Sequence, residues 1–250
     1  NLLLGRIAEQ RKNPTSAIAF YHRAVYGYWP SQSDENRRNA RWELVSVLQK
    51  ANRRNEVTGE LMQLYADAPE DPAYRSKIGF LLLQYGATSN ALEVFRDLTR
   101  TNPKYVEAYH GLGQALFDSG EYVEARHEFQ RAIHLDPKDR ENFSLLAETN
   151  AVIDLDPGLP RITAAERVRR SGNLLRRVLD HVTQCSPQTP SLQVTEAQKL
   201  LTTRHSTNAD FNMQLQDTAQ QIWHDRASLC GGNVPNDRVL EVVLTRLSHE

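Results

Sequence analysis

Cysteine and methionine are nearly missing, with two of each in 250 residues. Cys185 and Cys230 alone make neither a disulfide-dense scaffold nor a structural zinc site, which wants four closely spaced ligands. Long apolar runs are missing too. Runs such as Phe80 to Leu83 are far short of the ~20 residues that a bilayer-spanning helix needs. Charge of one sign is also lacking: 30 basic against 31 acidic side chains leave −1, so there is no global basic field for nucleic acid and no acidic tail. Strand-like alternation closed by hairpin turns occurs nowhere. A 40% hydrophobic content is nevertheless enough for a core.

Chemistry-bearing motifs are equally scarce. Eight histidines show no His-Glu-x-x-His spacing, and His127 and His134 have no clustered carboxylates in sequence. There is no Cys-x-x-Cys-His for haem, no Gly-x-Ser-x-Gly and no phosphate-cradling glycine loop. Gly111-x-Gly113 lies within a helical pattern rather than after a strand. We therefore expect no cofactor, no metal and no catalytic centre.

What is there is a period. Pro69, Pro103 and Pro137 stand 34 residues apart. Between the last two run Tyr109-x-x-Leu112-Gly113-x-x-Leu116 and Ala125-x-x-x-Phe129-x-x-Ala132. One period earlier come Ile78-Gly79-x-x-Leu82 and Ala91-x-x-x-Phe95, with Arg75 and Leu98 departing from the pattern. Earlier still, Leu44, Leu48, Leu61 and Leu64 keep the apolar skeleton, but Val45 and Val57 replace small residues. A first copy reads Leu4-Gly5-x-x-Ala8 and Ala17-x-x-x-Tyr21-x-x-Ala24, followed by an insert from Ser31 to Asn36. Such self-similarity marks a repeat array, in which no unit buries its apolar face alone. Gly113 and Ala132 are small where helices cross, and Gly120 supplies positive φ in the turn.

These residues resemble the tetratricopeptide repeat, at every signature position between Pro103 and Pro137, most strongly over 72–137 and more weakly over 1–68. The resemblance implies an all-α fold: a right-handed α-solenoid of helix-turn-helix units closed by a C-terminal helical capping bundle. We expect a first unit over 1–30, units two to four over 38–139, a degenerate fifth unit with a long helix over 140–186, and a helical cap over 187–250. The first unit's second helix starts near Pro14, which places its partner helix at the very start of the chain. Asn1-Leu2-Leu3-Leu4 has neither the basic region nor the cleavage site of a signal peptide, so we expect further chain upstream, carrying more repeats or a membrane anchor.

Beyond Pro137 the helices persist without the signature. Phe143, Leu146 and Ala147 open the fifth unit. A long helix over about 163–183 carries Ala164, Val168, Leu175, Val178, Leu179 and Val182 on one stripe with Gly172. Three more helices are expected near 192–204, 208–229 and 237–248, with a breaker-rich loop from Cys185 to Ser191 and a stop at Gly231-Gly232. Cys185 and Cys230 fall at helix ends. Either they bridge, which implies an extracytoplasmic compartment, or they are buried thiols in a reducing, cytoplasmic one.

The resemblance also implies a site. First helices of such repeats line a concave surface, here Trp42, Ser46, Gln49 and Lys50, then Ser76, Phe80, Leu83 and Gln84. Next come Glu107, His110, Gln114, Phe117 and Asp118, with Glu141, Ser144 and Glu148 last. Trp42, Phe80, Leu83 and Phe117 are not required by the repeat itself, so an apolar-centred groove with polar edges follows, suited to a protein or peptide partner. The alternative is that they pack within the fold. Co-chaperone members hold a carboxylate in a Lys/Asn/Arg clamp; Trp42, Ser46, Ser76, Phe80, His110 and Gln114 present none. A non-catalytic interaction scaffold is the leading reading, and self-association through stacked repeat ends the second. A third is binding of nucleic acid or an acidic partner by the segment 161–177. There six arginines against Glu166 give +5, leaving −6 elsewhere, although most of them lie opposite the apolar stripe.

Overall fold

The computed structural model describes residues 1–185, 191–202, 208–230 and 236–248. Among these residues it contains thirteen α-helices and no strand. The chain divides into two units, Asn1–Phe143 and Ser144–Glu250.

Unit one is a stack of helix pairs: α1 (Leu2–Gln10) with α2 (Pro14–Val25), α3 (Ser33–Lys50) with α4 (Arg54–Ala66), α5 (Pro72–Gln84) with α6 (Thr88–Thr101), and α7 (Val106–Asp118) with α8 (Tyr122–Leu135). Each of these helices packs on the next in sequence. Sequence-local rules start and stop them. Pro14 and Pro72 occupy the first helical turn, where the missing N–H costs nothing, and Asn13 and Asp71 accept from the Ser16 and Ala73 amides. The turn inside each pair needs one left-handed residue. It is Lys12 (φ 54°), Asn52 (φ 55°), Gly86 (φ 75°) and Gly120 (φ 83°) in successive repeats. The expected insert is partly helical, since α3 reaches back to Ser33 after a left-handed Gln32.

The joint inside each pair is a small residue on the first helix facing a large one 16 positions on. A Cβ added to Gly5 would come within 2.7 Å of Tyr21, one on Gly79 within 2.6 Å of Phe95, and one on Gly113 within 2.7 Å of Phe129. All three rings are fully buried. In the second repeat Val45 and Leu61 hold that register, both buried. A larger residue faces a smaller one, so total volume is roughly kept, the substitution that cores tolerate best. Arg75, which replaces the signature aromatic, ion-pairs with Asp97 at 3.3 Å and lies over the Tyr65 ring.

The repeat rule ends at α9 (Arg140–Leu155). Contrary to the expected fifth unit, Phe143 is 48% exposed and Ala147 is exposed as well. At this register Ala147 is followed 16 residues on by Thr163, so no aromatic ring closes a pair. In unit two, α10 (Ala164–Cys185) instead packs along α12 (Ala209–Leu229), with α11 (Leu192–Thr202) and α13 (Arg238–Leu247) against it. Val168, Leu175, Val178, Leu179 and Val182 are buried as the stripe requires, together with Leu174, whereas Ala164 is exposed. Asp237 caps α13 by accepting from the Leu240 amide at 3.1 Å. Cys185 and Cys230 form a disulfide, Cα to Cα 5.2 Å, tying the ends of α10 and α12. The expected loop at 186–190 and the stop at Gly231-Gly232 lie outside the described residues.

Candidate partner-binding surface

The residues expected in the groove lie on α3, α5 and α7, and their environments differ. Trp42 is half-buried. Its Nε1 donates to the Tyr74 hydroxyl at 2.9 Å, its ring meets Tyr74 edge-on at 5.8 Å, and the Lys77 ammonium stands 4.7 Å from the ring centre. Phe80, also half-buried, leans on Phe95 at 5.0 Å and on the His110 ring at 5.7 Å. Phe95 is the pivot: a Cβ on Gly111 would meet it at 2.2 Å, so glycine lets α7 approach the preceding pair. Ser46, Gln49 and Leu83 are half-buried, and Gln84 is exposed. Gln114 donates to Asp118 at 3.0 Å, one turn further along the same helix.

Two expected groove residues belong to packing. Phe117 is 7% exposed and set edge-on against Tyr122 at 5.2 Å, so it closes its own helix pair and is no anchor for a partner. Ser76 is buried, with its hydroxyl 3.1 Å from that of Tyr105. The cause is common to both: each side chain leaves its helix toward a neighbouring aromatic, which a helical wheel does not contain. Lys50, in turn, is engaged with Glu9 at 2.6 Å.

At the α1 end charges pair across repeats. Arg6 donates to Glu43 at 2.9 Å. Glu9 accepts from Lys50 and from the Tyr21 hydroxyl. Burial raises the Glu9 pKa, but these two hydrogen bonds outweigh it and the carboxyl stays below its ordinary value. Tyr21 is pushed up by burial and by Glu9. Further along, Tyr65 donates to Asp97 at 2.9 Å; burial and that carboxylate push Tyr65 up to about 12. For Asp97 the burial penalty is overcome by bonds from Tyr65 and Arg100, so its pKa is lowered.

Several cross-repeat struts were not anticipated: Trp42–Tyr74, Tyr65–Asp97 and His110–Asn142 each join residues 32 apart. The repeat length less two residues is a spacing that sequence inspection can search for.

In unit two the arginine-rich stretch is largely spoken for. Arg170 is buried and donates to the Ile153 and Asp156 carbonyls at the end of α9 as well as to Glu166. Arg169 also holds Glu166, whose pKa falls to about 2 under these two guanidinium bonds. Arg177 grips Asp237 at 2.9 and 3.0 Å, and Arg176 donates to Asn173. Burial opposes ionisation of Asp237, but Arg177 and the Leu240 amide prevail and lower its pKa. The solvated outer face expected of the stretch therefore does not include Arg170: the open end of α9 presents carbonyls that need donors.

Among the described residues, no group of three His, Cys, Asp or Glu side chains is placed to hold a metal ion, and no helix is long and apolar enough to cross a membrane.

Residues 82–148 match the family model described as "Tetratricopeptide repeat". The Small glutamine-rich tetratricopeptide repeat-containing protein 2 of Mycosarcoma maydis is 32% identical over 85 residues, which is 32% of this chain. That match spans about a quarter of the relative's length, 24%. Among solved structures, a tetratricopeptide repeat protein from Parabacteroides merdae aligns over 98% of this chain and 96% of its own, at 14% identity and a TM-score of 0.47. MamA from Desulfovibrio magneticus RS-1, from residue 41 to its end, aligns over 60% of this chain and 81% of its own, at 17% identity and a TM-score of 0.43.

Proposed function

The chain is a tetratricopeptide repeat protein, and on that premise we propose that it is a non-catalytic scaffold holding a partner protein's segment against the first helices of its repeats. One observation carries the reading. Trp42, Phe80 and Leu83 stay partly open on α3 and α5, while Leu44, Ile78 and Leu82 at the packing registers are closed. Polar Ser46, Gln49 and Gln84 lie on the same two helices and Gln114 on α7, so an apolar strip is edged by hydrogen-bonding groups. An interface of that composition anchors a few side chains and reads the backbone between them.

Blocking tests this better than truncation, because Trp42 and Phe80 also brace neighbouring helices. Ser46→Trp combined with Gln84→Trp fills the groove without removing a packed ring. Partners co-purified with the wild type should be lost at unchanged helicity. Retention of every partner at wild-type yield would refute the groove.

The arginine stretch supports no comparable reading, because among the described residues only Arg161 and Arg167 of its six guanidiniums are left unengaged.

A further inference from the structure

Resting on the groove reading, we infer that His110 is a hydrogen-bond acceptor built into the groove, and that it selects a partner segment offering an N–H donor beside an apolar side chain. The inference starts at the cap of α9. Asp139 Oδ1 accepts from the Glu141 amide at 2.9 Å and the Asn142 amide at 3.4 Å, which is the ordinary work of a capping carboxylate. Its second oxygen accepts from the Asn142 side-chain nitrogen at 2.7 Å. A carboxylate can face only the NH2 end of that amide, so the orientation of Asn142 is determined, and its Oδ1 turns to His110 Nδ1 at 3.0 Å.

A carbonyl oxygen can only accept. When the imidazole is neutral, its proton therefore sits on Nδ1, and Nε2 carries the lone pair. Asn142 is fully buried, so water does not compete for this bond. Phe80 at 5.7 Å and Phe129 at 6.4 Å meet the ring edge-on and hold its plane. The residue itself is partly exposed, and its ring bonds within the fold through Nδ1.

His110 also shares its repeat register with Trp42, one of the open groove aromatics. Phe80, in contact with the imidazole, offers the apolar surface next to the acceptor. A backbone amide of an extended segment, or a side-chain amide, satisfies Nε2 while the adjoining apolar side chain covers Phe80. A terminal carboxylate does not: it brings lone pairs to a lone pair, and no Lys/Asn/Arg clamp occupies the matching positions.

The test uses peptides selected on the whole protein from a random phage-displayed library at neutral pH. Selected peptides are compared on the wild type, on Ser46→Trp/Gln84→Trp and on His110→Phe, which keeps an aromatic ring and removes the acceptor. We expect His110→Phe to weaken binding about fivefold to tenfold, the worth of one hydrogen bond. Methylating peptide backbone amides one at a time should expose a single position whose loss is large on the wild type and absent on His110→Phe. Long-range proton–nitrogen NMR should find Nδ1 protonated. Peptides unaffected by the double tryptophan variant would overturn the groove itself. If groove-dependent peptides show no coupling between any amide and His110, or if Nε2 carries the proton, the acceptor assignment fails and the groove reading stands.

Discussion

The two units hold their helices together by different means. In Asn1–Phe143 the joint is one shape fit used repeatedly: a small residue, and 16 positions later a large one. In Ser144–Glu250 no such rule recurs. Helix ends are clamped by pairs that occur once, Arg177 to Asp237 across 60 residues and Arg246 to the fully buried Asp156 across 90, plus the disulfide. Repetition lets a short local pattern specify a stack, because each pair touches only its neighbours. A bundle without repetition needs distinctive long-range partners to choose among packings, and buried polar pairs fill that role.

The contrast can be broken by experiment. The largest effect is expected from Phe129→Ala, which empties the joint between α7 and α8 and should cost about 3–5 kcal/mol. Hydrogen exchange read by mass spectrometry should accelerate in α7 and α8 and stay slow in α10 and α12. Equal acceleration in both units would mean that they do not differ as described. Next, Cys230→Ser opens a loop of 45 residues and should cost about 4 kcal/mol in the chain-entropy model. Here the exchange signature should be the reverse, in α10 and α12, with unit one unaffected.

Acid gives a smaller and shared effect. Glu9 and Asp97 in unit one, and Glu166 and Asp237 in unit two, all have lowered pKa values. Their stabilisation is full above the ordinary carboxylate range and fades as pH falls through it toward the folded values, about 2 for Glu166. After solvent screening this amounts to something on the order of 1 kcal/mol per unit. Thermal midpoints should be flat from neutral pH to mildly acidic and fall below that; a rise on acidification would contradict the sign. The smallest effect is a gain. Lys12 stands at the turn position that Gly86 and Gly120 occupy in later repeats, at φ 54°. Lys12→Gly relieves a left-handed non-glycine residue and should stabilise by about 0.5–1 kcal/mol, the left-handed penalty less the added chain entropy. Urea titration would resolve it, and a loss would show that the turn is unstrained.

Much of unit one could be read from the chain, because its determinants are local. The 34-residue period, the Gly79–Phe95 and Gly113–Phe129 fits, the proline starts and the Gly120 turn all lie within one repeat. Beyond Pro137 the same fit is missing: Ala147 keeps the small residue, but Thr163 offers no ring to face it. The candidate groove was legible by half. Trp42, Phe80 and Leu83 are only partly buried, whereas Phe117 turns into the pair beneath it against Tyr122. Spacing says which helix face a residue occupies; the direction its side chain takes from there depends on the neighbouring ring.

By itself, then, the sequence determined a stack of helix pairs, the position of its turns and the helices that carry the candidate surface. Those follow from short-range sterics and a repeated pattern of residue size. Tertiary structure decided the pairing of α10 with α12, the meeting of Cys185 and Cys230, the burial of Arg170 under the end of α9 and the contact of His110 Nδ1 with Asn142 Oδ1. Each of these depends on groups far apart in the chain or on the orientation of a single amide, and distance in space is what a linear pattern does not encode.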